Sequence, residues 1–205
     1  MNMKKIYLYT RFERFWHWVQ GLMIILLLLT GFELHGTYTL LGFETAHTLH
    51  IWTAWTWVVL FVFIVFWLIT TGEWKQYQPT AKKVVQVAIY YVSGIFRGEP
   101  HPVPKSERAK HNPLQRLAYL GIVTALLPFQ MATGLLYYYY SDWPALGLDW
   151  DLSTMAVLHT IGAFALLQFL VVHVYMTTTG HTVFAHVKAM FTGWEEVHEE
   201  PSETR

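Results

Sequence analysis

The sequence predicts an all-α integral membrane protein, a four-helix bundle running up-down-up-down with an interfacial amphipathic helix in its central loop. Three observations carry that expectation. Of 205 residues, 54% are hydrophobic and only 14% charged, against about a quarter charged in ordinary soluble domains. The apolar residues gather into four blocks, 15–32, 48–72, 117–141 and 152–180, none of which contains Asp, Glu, Lys or Arg. All 14 Lys and Arg lie in the N-terminal segment, the second connection or the C-terminal tail.

Each block follows from the bilayer as a solvent. A hydrocarbon core about 30 Å thick needs roughly 20 apolar residues in a helix, and lipid offers no partner for backbone N–H and C=O groups, so each segment must be helical. The expected spans are residues 15–34, 48–71, 115–139 and 153–179, with a loop over 73–113, all in a single domain covering 1–205. Trp16, Trp18, Trp52, Trp74, Trp143 and the tyrosines at 137–140 fall near the span ends, where interfacial aromatic belts sit. No small-residue cleavage site follows the first block, so it is expected to stay as a helix. The basic residues fix an expected orientation: Lys4, Lys5, Arg11, Arg14, the loop from Lys75 to Arg116, Lys188 and Arg205 share one side of a four-span chain. The positive-inside rule then puts both termini in the cytoplasm of a bacterial or archaeal inner membrane. In the loop, residues 81–97 place Lys82, Gln86, Ser93 and Arg97 on one helical face and Val85, Ala88, Ile89, Val92 and Phe96 on the other. That is the pattern of a helix lying in the membrane interface, or of an ordinary amphipathic helix. Residues 100–104 read as an extended proline-rich connector, and 195–204 as a short acidic, frayed tail.

Chemistry enters through histidine. With no Cys in the chain, disulfides, thiolate-bound zinc and iron–sulfur clusters are excluded. The four apolar blocks hold His17, His50, His159 and His173. One such histidine is as readily a satisfied core residue as a ligand; four of them, with no Asp, Glu, Lys or Arg beside them, point to a function. His159 and His173 are 14 residues apart, which on a helix is about 21 Å along the axis and about 40° of rotation. One helix face therefore offers two ligands at two depths. His17 opens the first helix and His50 the second, so the levels pair His17 with His173 and His50 with His159. His47 is a rival one turn earlier, but it lies 24 residues ahead of Thr71, whereas His50 lies 21 ahead, close to the 20 that separate His159 from Thr179. Two imidazoles on opposite sides of one iron suit a haem; zinc wants four converging ligands. The expectation is two b-type haems with all four histidines as axial ligands and electron transfer as the chemistry. Gly21, Ala54 and Gly162 offer room for a macrocycle or for close helix packing. No nucleotide-binding, hydrolase or nucleic-acid motif is present.

At these residues the chain resembles the di-haem cytochrome b subunits of formate dehydrogenase-N, [NiFe]-hydrogenase and thiosulfate reductase. The resemblance runs through Arg14, Phe15, Trp16, His17 and Trp18, then Thr30 and Gly31, His50, the segment Asn112, Pro113, Leu114, Gln115, Arg116, then His159, His173, Val174 and Tyr175, and Met190 to Trp194 in the tail. It implies a periplasmic redox partner, an iron–sulfur or multihaem protein with a catalytic subunit, and exchange with menaquinone or ubiquinone. By position, Asn112 and Gln115 look like the polar residues of the quinone pocket, with Arg14 at the same level and His111 or Glu13 as proton routes. Asn112 can equally cap the third helix, with Pro113 in its first turn. Pro113 and the Gln-Arg-Leu-Ala-Tyr run that follows it look closer to thiosulfate-reductase-type subunits. Two other readings fit the same residues: a stand-alone di-haem quinone oxidoreductase acting on a small oxidant such as superoxide, and a haem-free membrane anchor. The acidic residues Glu33, Glu44, Asp142, Asp149 and Asp151 in the first and third connections could face a basic partner, or simply water.

Overall fold

The computed structural model describes residues 3–103, 110–180 and 182–198. Among them are six helices and two strands: β1 (Met3–Tyr7), α1 (Arg11–Leu34), α2 (Phe43–Thr71), α3 (Val84–Arg97), α4 (Pro113–Tyr138), α5 (Leu152–Thr177), α6 (Ala185–Thr192) and β2 (Trp194–His198). Helices α1, α2, α4 and α5 are long and apolar enough to cross a membrane, as the four blocks require.

Local chemistry decides where these helices begin. α1 starts at Arg11 rather than near 15 because Thr10 and Glu13 form a reciprocal capping box: Thr10 N–H donates to Glu13 Oε2 at 2.7 Å, and Glu13 N–H to Thr10 Oγ1 at 3.2 Å. α2 starts at Phe43 because the preceding turn is held from α1. Glu33 Oε1 accepts the N–H groups of Leu40, Leu41 and Gly42 at 2.8, 2.7 and 2.8 Å, and Gly42 takes a left-handed conformation (φ 80°). Glu33 is buried, so it is a structural residue of this connection. Asp151 accepts bonds from Ser153 Oγ, Thr154 N and Thr154 Oγ1 at the head of α5, which is N-terminal capping. Of the five acidic residues expected to face a partner or water, these two already have protein partners. In α4 a π-helical stretch over Ile122–Leu126 precedes Pro128; proline has no N–H to give the carbonyl four residues back, and the wider turn absorbs that mismatch.

The described chain divides into two compact units. One comprises residues 18–71 and 121–172, taken entirely from the four long helices and their two short connections. Its core is Ile24, Leu28, Trp57, Leu127 and Leu166, flanked by Met23, Leu27, Phe32, Phe61, Met131, Ala163 and Leu170 among others. Its exposed surface is just as apolar: Val59, Val62, Phe66, Ile161 and Phe164 all stand outward. A bundle apolar both inside and outside is solvated by lipid.

The second unit comprises residues 1–17, 72–120 and 173–205. Here β1 and β2 pair antiparallel, from Met3 opposite His198 to Tyr7 opposite Trp194. This corrects the expected frayed tail: residues 195–198 form a strand, while 199–204 lie outside the described residues. The pairing matches Lys5 with Glu196 (3.5 Å) and stacks Tyr7 edge-on against Trp194 (centroids 5.2 Å). Gly193 makes the turn into β2 possible. It has φ 87°, and a Cβ there would sit 2.6 Å from the Tyr7 ring and 2.7 Å from the Tyr9 carbonyl. α3 begins at Val84, three residues later than expected, because Lys83 adopts a left-handed φ of 61°. Val85, Ile89, Val92 and Phe96 form an exposed apolar stripe along it, as an interfacial helix requires. Pro104, the end of the expected connector, lies outside the described residues.

Candidate functional site

The four span histidines meet as two facing pairs, one within each unit. His50 on α2 and His159 on α5 have ring centroids 6.4 Å apart at 80°. His17 on α1 and His173 on α5 have centroids 5.8 Å apart at 44°. All four rings are half-buried. His47, by contrast, points outward and stacks on Phe43 (centroids 6.1 Å, 16°).

Whether such pairs fit a metal-centred macrocycle can be judged from the donor set and the space. Two imidazoles bonded to one metal from opposite sides at about 2 Å hold their centroids about 6 Å apart. Both pairs stand at that separation. Among the described residues no cluster of three or more His, Cys, Asp or Glu is arranged to hold a bare ion, so the donors come in twos. The rings also lie in cradles that a side chain would fill. A Cβ on Gly31 would come 3.3 Å from His50 Cε1, and one on Gly134 2.9 Å from His159 Cε1. The residues present fit a haem held by a pair of imidazoles.

The surroundings of His50 and His159 give Thr30, named above only for the resemblance, a contact with the ring, and add Gln130 and Thr133, which the sequence did not single out. Thr30 Oγ1 lies 2.9 Å from His50 Nδ1, and Thr133 Oγ1 3.2 Å from His159 Nδ1. Gln130 is buried; its Nε2 is 3.2 Å from both ring nitrogens of His159, and its Oε1 is a buried acceptor without a hydrogen bond, lying against Gly162. Gly162 therefore makes room for Gln130, and a Cβ on Gly21 would meet nothing within 4 Å. A signal for Thr133 and Gly134 was present: the Thr-Gly dipeptide at 30–31 recurs at 133–134.

In the other unit, Asn112 and Gln115 are each other's partners. Gln115 N–H donates to Asn112 Oδ1 at 2.9 Å and Asn112 N–H to Gln115 Oε1 at 3.0 Å, a second capping box, at the start of α4. Asn112 is buried and also donates from Nδ2 to the Tyr91 hydroxyl at 2.9 Å. Arg14 reaches the Phe191 carbonyl with one guanidinium nitrogen, while its Nε is buried without a hydrogen-bond acceptor. Glu13 pairs with Lys110 at 2.6 Å, and His111 stacks on Tyr77 and meets Tyr119 edge-on. Burial pushes Tyr77 and Tyr91 up to about 12, with the Asn112 amide pulling Tyr91 back; Tyr9 is raised by burial and then by Glu195. These phenols stay neutral donors at physiological pH.

Two comparisons with known proteins give matches. A family model described as prokaryotic cytochrome b561 matches residues 8–193. The protein named "Putative cytochrome YdhU" of Escherichia coli (strain K12) is 32% identical over 205 residues, covering 93% of this chain and 75% of the relative. No solved structure gives a significant match.

Proposed function

The chain belongs to the prokaryotic cytochrome b561 family, and on that premise we propose that it is the membrane subunit of a respiratory oxidoreductase, with one haem b held by each histidine pair. The coarser statement stands on the family itself: this is a multi-pass membrane cytochrome of b type that serves electron transfer. The observation that carries the finer reading is the pair of facing imidazoles in each unit, at 5.8 and 6.4 Å.

A haem held by a pair of these histidines would supply one-electron transfer. The protein's part is to hold the four rings, exclude water from the His50–His159 pair, and carry one member of each pair on α5. With the basic segments inside, His17 and His173 take the cytoplasmic side, and His50 and His159 the outer side, facing a periplasmic iron–sulfur or multihaem partner with its catalytic subunit. Quinone, menaquinone or ubiquinone, exchanges near His17 and His173. Arg14, Asn112 and Gln115 belong to the same unit as that pair, and the unsatisfied Arg14 Nε offers a donor to a quinone carbonyl. If electrons flow inward, that arrangement adds to the membrane potential, about 2.3 kcal/mol per charge per 100 mV.

The pyridine haemochrome assay should give two haems per chain; one or none in fully loaded protein ends the two-pair reading. Reporter fusions at the C-terminus and in the 142–151 connection should report cytoplasm and periplasm respectively. Asn112→Leu should slow haem–quinone exchange with both haem spectra intact, and unchanged quinone kinetics would move the quinone site elsewhere.

A further inference from the structure

His50 and His159 are met by the same two-residue device on neighbouring helices. On α1 it is Thr30-Gly31, and on α4 it is Thr133-Gly134. In each the threonine oxygen touches the ring's Nδ1, at 2.9 Å for Thr30 and 3.2 Å for Thr133. A threonine hydroxyl has one proton to donate, and here both protons are committed to the residue's own helix. Thr30 donates to the Leu26 carbonyl at 2.7 Å, and Thr133 to the Phe129 carbonyl at 2.9 Å. Towards the ring each oxygen can therefore only accept. Such an acceptor favours the hydrogen on Nδ1, which leaves Nε2 with the lone pair that a metal needs; at His159 the Gln130 amide nitrogen also lies 3.2 Å from both ring nitrogens.

The glycine supplies the space. A Cβ on the residue after the threonine would stand 3.3 Å from His50 Cε1 at Gly31 and 2.9 Å from His159 Cε1 at Gly134. An alanine at Gly134 would force the imidazole to shift, and one at Gly31 would press it back by a few tenths of an ångström. The hydroxyl sets the tautomer and the bare backbone sets the depth, once for each of the two facing rings.

We infer that Thr30-Gly31 and Thr133-Gly134 are a matched pair of positioning elements that fix the tautomer, orientation and donor strength of His50 and His159. The inference rests on the reading that these two histidines hold one haem. An acceptor on Nδ1–H raises the basicity of a ligating imidazole, which favours the more positive ferric iron and keeps that haem's midpoint potential low. Thr30 makes the shorter bond. Thr133 makes the longer one, and the Gln130 amide nitrogen beside the same ring is a donor that cannot take its place.

The test uses the purified full chain with Thr30→Val, Thr133→Val and the corresponding serine variants, read by pyridine haemochrome and by redox titration. The valine variants should keep two haems and raise one of the two midpoint potentials, Thr30→Val more than Thr133→Val, while the second potential stays put. The serine variants should restore the original value. Should a valine variant shed one haem, retention of that haem in the serine variant supports the hydroxyl's role, and loss in both overturns it. Two unmoved potentials at full haem content also overturn it, as does a serine variant that behaves like valine. Failure of the underlying reading is distinguishable: His50→Ala would then keep both haems.

Discussion

The two histidine pairs hold their rings at similar separations, 6.4 and 5.8 Å, yet the protein builds them in different ways. The His50–His159 pair sits in a unit made only of spanning helices and their short connections, where threonine hydroxyls and glycine backbone from α1 and α4 shape the site. The His17–His173 pair sits in a unit assembled from chain ends and a long loop. There Arg14 ties the start of α1 to the Phe191 carbonyl, β1 pairs with β2, and the buried Glu195 holds His186 Nδ1 at 2.7 Å. The first site is thus specified by helix packing in lipid and depends on residues inside the spans. The second depends on contacts between segments more than 170 residues apart, from β1 at residue 3 to β2 at residue 198, which water, pH and truncation can reach.

The largest effects come from the histidines themselves. His50→Ala and His159→Ala should each halve the haem content and remove the same spectral component, and His17→Ala and His173→Ala should each remove the other. A variant that crosses these groups, or His47→Ala behaving like His50→Ala, breaks the pairing.

Next come the glycines. Gly134→Ala should lower occupancy of the His50–His159 site more than Gly31→Ala, because the added carbon would lie at 2.9 rather than 3.3 Å from the ring. Alanine is otherwise the better helix former by about 1 kcal/mol, so a rise in thermal stability of the haem-free protein alongside lost haem would sharpen the assignment of the defect to the ring. Equal haem content in both variants would show that the cradle is not tight.

Glu195→Ala should act on the other unit. Removing a buried partner of His186 costs about 1–3 kcal/mol, and the haem at His17–His173 should be lost at lower temperature while the other keeps its melting profile. Simultaneous loss of both would mean that the two sites do not differ in what supports them.

The smallest effect is alkaline. Tyr77 and Tyr91 stand near 12 in the folded chain, against about 10 when unfolded. Their contribution to stability is complete below pH 10 and falls as pH climbs from 10 to 12, where the unfolded chain has released protons that the folded one still binds. Thermal melts at pH 9 and pH 11 should show the His17–His173 site weakening first. Tyr77→Phe, which removes the ionisable hydroxyl, should reduce that pH dependence.

Much of this was legible in sequence. The spans followed from uncharged apolar blocks, since a bilayer allows few other structures for such segments. The geometric pairing of His50 with His159 and His17 with His173 followed from helical rise, a local regularity that carries depth along with it. The unexpected elements were those made by non-local contact. Glu195 read as tail because its short strand has no stability without β1, nearly 190 residues earlier. Asn112 and Gln115 read as pocket residues as readily as caps, and the structure pairs them at the head of α4. Glu33 read as a loop charge, and its three backbone donors come from seven to nine residues downstream.

By itself, then, the sequence determined the class of solvent, the number of spans and the spacing of the histidines along them, because hydrophobicity and helical periodicity act residue by residue along the chain. Only the tertiary structure decided which way each ring is held. Thr133 and Gly134 look like any small pair in a transmembrane helix until folding sets His159 beside them, and a hydrogen bond between side chains 26 residues apart exists only once two helices have chosen the faces they turn to each other.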